Sequence, residues 1–188
     1  MNKTIRILLF CFAISFLIWV TPFLIRILFM DSIIVSHSKP NQKMSSDIVS
    51  VIAEHLNNNN KWSAFYLIFT NNLKVCITNI LGGVLLGVGT LINLFINGFY
   101  TADVLSNIHS NGTSWSVILE HTISHSFEMI GVWLSGALGF FIAKTIFDIM
   151  LKNKYPTLTF YKTIAFSILI IILIILIAAY IEAFISIS

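Results

Sequence analysis

The sequence contains very few charged residues. Only 10% of its 188 residues are Asp, Glu, Lys or Arg, whereas 57% are hydrophobic and the mean hydropathy is +0.90. Soluble globular proteins carry about 25% charged residues, so this chain could not cover a water-exposed surface of ordinary composition. The net charge of +3 is too small to indicate nucleic-acid binding, and no basic stretch stands in polar, aromatic-rich sequence. The composition therefore predicts an integral membrane protein.

Cysteine and proline are also scarce. Cys11 and Cys76 lie in apolar stretches without metal-ligand spacing, which is typical of small buried hydrophobes. Pro22 interrupts the first apolar run, where a kink is expected. That run starts like a signal peptide, with Lys3 and Arg6, but it is too long for one and has no small-residue cleavage site. A retained first helix is therefore predicted.

Four long apolar blocks define the organisation of the chain. A membrane-spanning helix needs about 20 apolar residues, so the sequence predicts an all-α, polytopic membrane helix bundle. About four to five transmembrane helices and an amphipathic or re-entrant segment are expected within a single membrane domain, residues 1–188. The predicted helices cover residues 5–30, 63–99, 114–150 and 158–187. In the polar segment after the first helix, DIVSVIAEHL has the spacing of a short amphipathic helix.

Lysine and arginine predict the orientation, because cytoplasmic loops carry an excess of them. With four spans, nine cations fall on one side, which would be cytoplasmic, and only Lys3 and Arg6 fall on the other. The segment from Tyr100 to Phe127 would then face outward with the C-terminus. Since Lys3 and Arg6 would favour the cytoplasm, a fifth span is the alternative, made by splitting the second block near Asn71-Asn72. Four spans are favoured.

Residues capable of chemistry concentrate at the start of the third block: Glu120, His121, His125 and Glu128. On a helix, His121, His125 and Glu128 share one face and could hold zinc, with Glu120 as a base. The zincin motif needs Glu directly after its first His, and Thr122 stands there. A helix-packing or partner-binding cluster is favoured over a proton or substrate site and over a metal site. No catalytic residue is assigned and no cofactor is expected, with zinc as the alternative.

Asparagine and glycine form two further sets. Asn71, Asn72 and Asn97 lie in apolar sequence, where an unsatisfied amide is costly, so they predict a polar network near the external face, beside the His/Glu stripe. Asn71-Asn72 could alternatively cap a helix start, and Asn97-Gly98 is typical of a helix end. Small residues that predict close helix packing are Gly82, Gly83, Gly87, Gly89, Gly136 and Gly139.

The order IFTNNLKVCITNILGGVLLGVGTLINLFINGFYTADVL, then HSFEMIGVWLSGALGFF, resembles the stage II sporulation protein M family of multi-span membrane proteins. The resemblance covers Phe65 to Lys144: an Asn-Asn entry, a Gly-rich helix ending in Asn97-Gly98, and a His followed by Glu and a small-residue helix. There is one departure. Many members place His and Glu four apart with Gly after the His, whereas His125 and Glu128 are three apart and Ser126 follows the His.

The resemblance implies a non-enzymatic, multi-pass component of a bacterial cell membrane that works with other membrane proteins in one assembly. Founding members imply a sporulation-type cell-envelope complex, and small members imply circular bacteriocin maturation, export or immunity; neither setting is favoured. Besides the lipid bilayer and these proteins, a peptide cargo and a second copy of the chain are considered as partners. The alternatives are an intramembrane metal-dependent peptide hydrolase or ligase that uses the His/Glu cluster, and a small transporter subunit.

Overall fold

The computed structural model describes residues 3–30, 60–110, 112–114, 116–118 and 126–185. Over these ranges the protein is an all-helical bundle without β-strands, and its five long helices are each long and apolar enough to cross a membrane. The predicted all-α membrane fold is confirmed. The helices are α1 (Lys3–Ile25, continued by a π-helical turn, Arg26–Met30), α2 (Lys61–Val84), α3 (Val88–Ser110), α4 (Ser126–Lys152) and α5 (Leu158–Phe184).

Contacts between α1 and α3 show that these two helices run parallel. The backbone of Trp19 contacts Gly98. Further along both helices, in the same direction of the chain, the side chain of Arg26 contacts Asp103. Because α2 and α3 are joined by a three-residue turn, Leu85–Gly87, α2 is antiparallel to both. Helix α3 therefore packs against a parallel neighbour, α1, and an antiparallel neighbour, α2.

Helices α4 and α5 complete the bundle. Helix α4 runs parallel to α2, since Gly83 meets Gly139 and, one turn earlier, Asn79 meets Ser135. Helix α5 runs antiparallel to α4, and its Phe184 packs edge-on against the ring of Trp62 at the start of α2. Fully buried apolar side chains at the centre come from three different helices: Leu94, Leu138 and Ile175. Helix α4 has the largest buried fraction of the five spans, 50% against 22–28% for the others.

The second apolar block is a helical hairpin and not one helix over 63–99. Leu86 and Gly87 have φ angles of 55° and 84°, and the Gly87 amide donates to the carbonyl of Gly82 at 3.2 Å. This six-to-one bond after a left-handed residue is a Schellman ending, which stops a helix and reverses the chain. The preference for four spans is therefore wrong, because the described residues form five helices of spanning length.

The position of the break also differs from the alternative prediction. Asn71-Asn72 lies inside α2 and does not separate two spans. Asn97-Gly98 lies in the interior of α3, so its interpretation as a helix end is wrong as well. Pro22 is accommodated inside α1, which ends three residues later at Ile25 and is followed by the π-helical turn. The predicted amphipathic segment DIVSVIAEHL lies outside the described residues.

The helix directions separate the charges into two ends of the bundle. One end, which we call the cationic end, holds the start of α1, the Leu85–Gly87 turn and the α4–α5 connection. Its described cations are Arg6, Lys144, Lys152, Lys154 and Lys162, with Asp148 among them. The opposite end, which we call the acidic end, holds the described carboxylates Asp103, Glu128 and Glu182 together with the cations Arg26 and Lys61. Over the described residues, the cationic end is therefore the more positive of the two.

Candidate functional site

Glycines bring three helices into backbone contact near the cationic end. A Cβ on Gly83 would lie 2.2 Å from the carbonyl oxygen of Gly139, and a Cβ on Gly82 would lie 2.2 Å from the amide nitrogen of Thr90. Gly139 in turn faces the carbonyl oxygen of Asn79, at 2.4 Å from its ideal Cβ. Such approaches are how transmembrane helices pack when small residues face each other. The glycine faces are therefore occupied inside the chain.

The other predicted packing glycines lie in the same region. Gly89 faces Gly82 across the hairpin, and an ideal Cβ on Gly87 would lie 3.3 Å from the Ala143 Cβ of α4. Gly136 lies where α1 and α3 meet α4, with the Ser15 hydroxyl 2.3 Å from its ideal Cβ. All six glycines thus stand at contacts within one molecule. These contacts within the chain are of the close kind that small residues allow between helices.

An asparagine network, comprising Asn79, Asn93, Asn97, Thr90 and Ser135, lies directly beside the glycine contacts. The Asn79 amide nitrogen donates to the Ser135 hydroxyl at 2.9 Å, and its amide oxygen accepts from Asn93 at 2.7 Å. The Thr90 hydroxyl donates to the Asn79 carbonyl at 2.7 Å. Asn79, Thr90 and Ser135 are completely buried. In hydrocarbon an unsatisfied amide would cost several kcal/mol, so these mutual bonds explain how α2, α3 and α4 tolerate them.

The network continues along α3 toward the acidic end. Asn97 donates to the Asn93 carbonyl at 2.8 Å and to its side-chain oxygen at 3.2 Å. Closer to the acidic end, Asp103 of α3 forms an ion pair with Arg26, which follows α1. Arg26 donates to one oxygen of Asp103 through Nε at 2.9 Å and Nη2 at 2.7 Å. Arg26 is only 4% exposed. Polar groups therefore line α3 over most of its length, in a helix of low mean hydropathy, 1.2.

The predicted site residues fall in different places. Asn97 belongs to the asparagine network, whereas Asn71 and Asn72 are half-buried on α2 and make no side-chain hydrogen bond to another described residue. Glu128 lies in the first turn of α4, within electrostatic range of the Cys76 thiol. Glu120, His121 and His125 lie outside the described residues. Among the residues that the structure does describe, no group of three His, Cys, Asp or Glu could hold a metal ion.

The chemistry of the asparagine network is that of a packing element. Its members are amides and hydroxyls, which neither titrate in the physiological range nor act as metal ligands for zinc. Cys11 and Cys76 are buried free thiols, as predicted, on helices held together by aliphatic side chains. The network can fix helix register, because each amide has its partner at one position only.

Comparison with known proteins agrees with this architecture. A family model described as stage II sporulation protein M matches residues 5–187. The chain belongs to the stage II sporulation protein M family. The family match includes the first and last helices, which is wider than the Phe65 to Lys144 stretch on which the resemblance was based. All five helices, and not only the hairpin and α4, therefore belong to the family's common architecture.

A relative in the stage II sporulation protein M family supports the same assignment. It is an uncharacterized protein of Methanocaldococcus jannaschii that is 33% identical over 129 residues, which are 65% of this chain and 70% of the relative. No solved structure matches the chain. The comparisons therefore establish the family and the membrane character, and the individual role must be argued from the site.

Sequence reasoning missed the residues that carry most of the buried polar contacts: Asn79, Asn93, Thr90, Ser135 and the Arg26–Asp103 pair. A signal was present, since Asn93 and Asn97 are one helical turn apart in apolar sequence, which places both amides on one face. Asn79 gave no such signal, because its partners lie on other helices. The pairing of Arg26 with Asp103 joins residues that are 77 positions apart.

Replacing Asn79 with Leu is expected to lower the free energy of unfolding by about 2 kcal/mol. The substitution removes three side-chain hydrogen bonds, and such bonds average about 0.6 kcal/mol in a membrane protein, with a maximum of about 1.7. Asn71→Leu is the matched control on the same helix and should change stability little. Unfolding of the purified chain in detergent measures both, and equal midpoints for the two variants would contradict the network's role.

Proposed function

We propose that the chain is a non-enzymatic component of a multi-protein membrane assembly, in a sporulation-type cell-envelope complex. Family membership supports the membrane role. The observation that carries the proposal is a lysine, Lys74, exposed on the lipid-facing side of α2 at the middle of its span. A charge in that position indicates that a further protein completes the surface.

Lys74 lies too deep for its ammonium group to reach the lipid headgroups easily. It stands 13 residues after Lys61 and 10 residues before Val84, or about 20 Å and about 15 Å at 1.5 Å per residue. The hydrocarbon core is about 30 Å thick, so Lys74 is close to the midplane. No hydrogen bond or ion pair joins its ammonium group to any described residue. An unpaired ammonium at this depth costs about 3 kcal/mol even on the mildest scale.

Other polar residues share this face of α2. Thr70, Asn71 and Thr78 lie within one turn of Lys74 along the exposed or half-buried side of the helix, which positions them for one neighbour. Toward the acidic end the face continues into an open crevice of about 390 Å³ lined by Trp62, Ser63, Tyr66 and Leu67. The Thr70 and Thr78 hydroxyls donate to carbonyls of their own helix and can still accept from a neighbour. The face therefore offers one charge, the Asn71 amide, two acceptor hydroxyls and a recess, arranged along one helix.

A spanning helix of a different membrane protein, with an Asp or Glu near its midplane, fits this face best. Such a carboxylate would pair with Lys74 and remove the cost of isolating either charge. A second copy of the chain offers no such group among its described residues, because every carboxylate there lies near a helix end or is already paired. These are Asp103, Asp148, Glu128 and Glu182.

The same proposal includes an orientation in the bacterial cell membrane. With five spans, the cationic end collects six of the eleven Lys and Arg residues, including Lys3 and Arg6, and the acidic end four. The positive-inside rule then favours a cytoplasmic cationic end. Lys3 and Arg6 no longer conflict with the rest, and the end of α3 at Ser110 and the start of α4 at Ser126 face outward.

Photocross-linking in native membranes tests the proposal. A photoreactive amino acid at Thr78 or Asn71 on the Lys74 face should yield one dominant adduct with another membrane protein. The matched control is Leu173, which is exposed near the middle of α5 and should react mainly with lipid. Adducts with a second copy alone, or the same products from Leu173, would contradict a hetero-assembly.

A charge swap then tests the pairing itself. Lys74→Glu should reduce co-purification of the partner by at least tenfold, on the order of what breaking a desolvated ion pair costs. Replacing the paired Asp or Glu of the partner protein with Lys should then restore the complex with the Lys74→Glu variant. The identity of the cross-linked protein separates the settings: a cell-wall hydrolase supports the sporulation-type complex, and a bacteriocin export or maturation protein replaces it with the bacteriocin setting.

A further inference from the structure

An amphipathic crevice opens between α1 and α4 at the cationic end. Its volume is about 500 Å³, and its wall carries two cations, Arg6 and Lys144, together with the apolar side chains Ile7, Phe10, Ile14 and Phe140. We propose that this crevice binds an anionic phospholipid, with the phosphate at the two cations and one acyl chain along the apolar wall. This site lies on α1 and α4 and shares no residue with the α2 face that carries the proposed function.

The order of residues along both helices matches the order of groups in a phospholipid. On α1 the cation Arg6 comes first from the cationic end, and Ile7, Phe10 and Ile14 follow deeper on one face, over about 10 Å. On α4, which is antiparallel to α1, Phe140 lies one turn deeper than Lys144. The two helices thus present charge at headgroup depth and hydrocarbon below it, on one shared wall.

The charge balance favours an anionic headgroup. Arg6 is exposed and has no hydrogen bond or ion pair to another described residue. Lys144 pairs with Asp148, but Asp148 is shared with Lys152, so one carboxylate faces two lysines and Arg6 adds a third cation. A zwitterionic lipid would bring its own ammonium to this positive site, whereas basic pockets between helices on the cytoplasmic side bind anionic headgroups.

Lipid titration of the purified full-length chain in neutral detergent tests the proposal, with binding followed by native mass spectrometry. Phosphatidylglycerol should bind at least about fivefold more tightly than phosphatidylcholine with the same acyl chains, since each nearby Lys or Arg contributes on the order of a fivefold factor. Arg6→Gln with Lys144→Gln should weaken phosphatidylglycerol binding by about 25-fold. Asp148→Asn should strengthen it, because Lys144 is released.

The matched control is Lys154→Gln with Lys162→Gln, which removes two exposed cations from the same end but not from the crevice. This variant should keep the wild-type affinity; an equal loss would mean that only general surface charge attracts the lipid and would overturn the site. Competition by glycerol 3-phosphate at the concentrations used for phosphatidylglycerol would replace the lipid with a soluble phosphate ligand. Equal binding of both lipids by the wild-type chain would refute the proposal without any variant.

Discussion

Replacing Gly83 with Leu is expected to destabilise the protein by at least about 3 kcal/mol, so that little folded chain is recovered. The added side chain would begin 2.2 Å from the carbonyl oxygen of Gly139. Because that atom belongs to the backbone of α4, no rotamer change relieves the clash, and α2 and α4 must separate. Overpacking usually costs about 1–3 kcal/mol where flexible side chains can yield, and a rigid backbone places this case above that range.

The control is the neighbouring substitution Val84→Leu. Val84 is 58% exposed on the outer side of the same helical turn, so an added methylene group meets no protein atom there. Size-exclusion chromatography and the unfolding midpoint in detergent measure the two variants together. A monodisperse Gly83→Leu protein with the wild-type midpoint would show that the glycine contact is dispensable.

Arg26→Met is expected to lower the free energy of unfolding by about 2–3 kcal/mol. Removing one partner of a buried ion pair costs about 3–5 kcal/mol, and the estimate is reduced here because Asp103 keeps 27% of its side chain exposed. The loss arises from the carboxylate that remains, so Asp103→Leu in the same chain should restore a large part of the stability. This reversal distinguishes an unpaired charge from a simple loss of packing.

A double-mutant cycle in detergent gives the coupling energy between Arg26 and Asp103. Lys61→Met is the matched control, since Lys61 lies at the same end of the bundle and has no ion pair with any described residue. It should leave the unfolding free energy nearly unchanged. If Arg26→Met and Lys61→Met have the same small effect, the ion pair contributes nothing to the fold.

The helical type of the elements was predictable, because apolar runs of spanning length leave little alternative to helices. The break at Leu85–Gly87 was not. The sequence around this turn stays apolar and contains no charged residue. The first residue in the left-handed conformation is Leu86, and leucine is not a residue type that indicates a turn. Gly87 was noted only as a packing residue.

The candidate site was predictable in composition but not in its pairings. The glycine pattern identified residues suited to close contact, yet spacing along one helix does not reveal which helix approaches. The sequence predicted a close contact at Gly83, and the structure identifies Gly139 on α4 of the same chain as its partner. In the same way, Asn97 was selected as an amide in apolar sequence, while Asn79, which also lies in apolar sequence, was passed over. Asn79 makes hydrogen bonds to two other helices.

The short turn between α2 and α3 has a consequence for how the protein enters the membrane. These two helices have the lowest mean hydropathy of the five, 1.2 each against 3.2 for α5, and each carries amides that only the other helix, or α4, satisfies. If a translocon released either helix alone into lipid, these polar groups would lack hydrogen-bond partners. We expect the hairpin to leave the translocon as a pre-paired unit, with the inter-helix bonds of Asn93 and Thr90 formed during biogenesis.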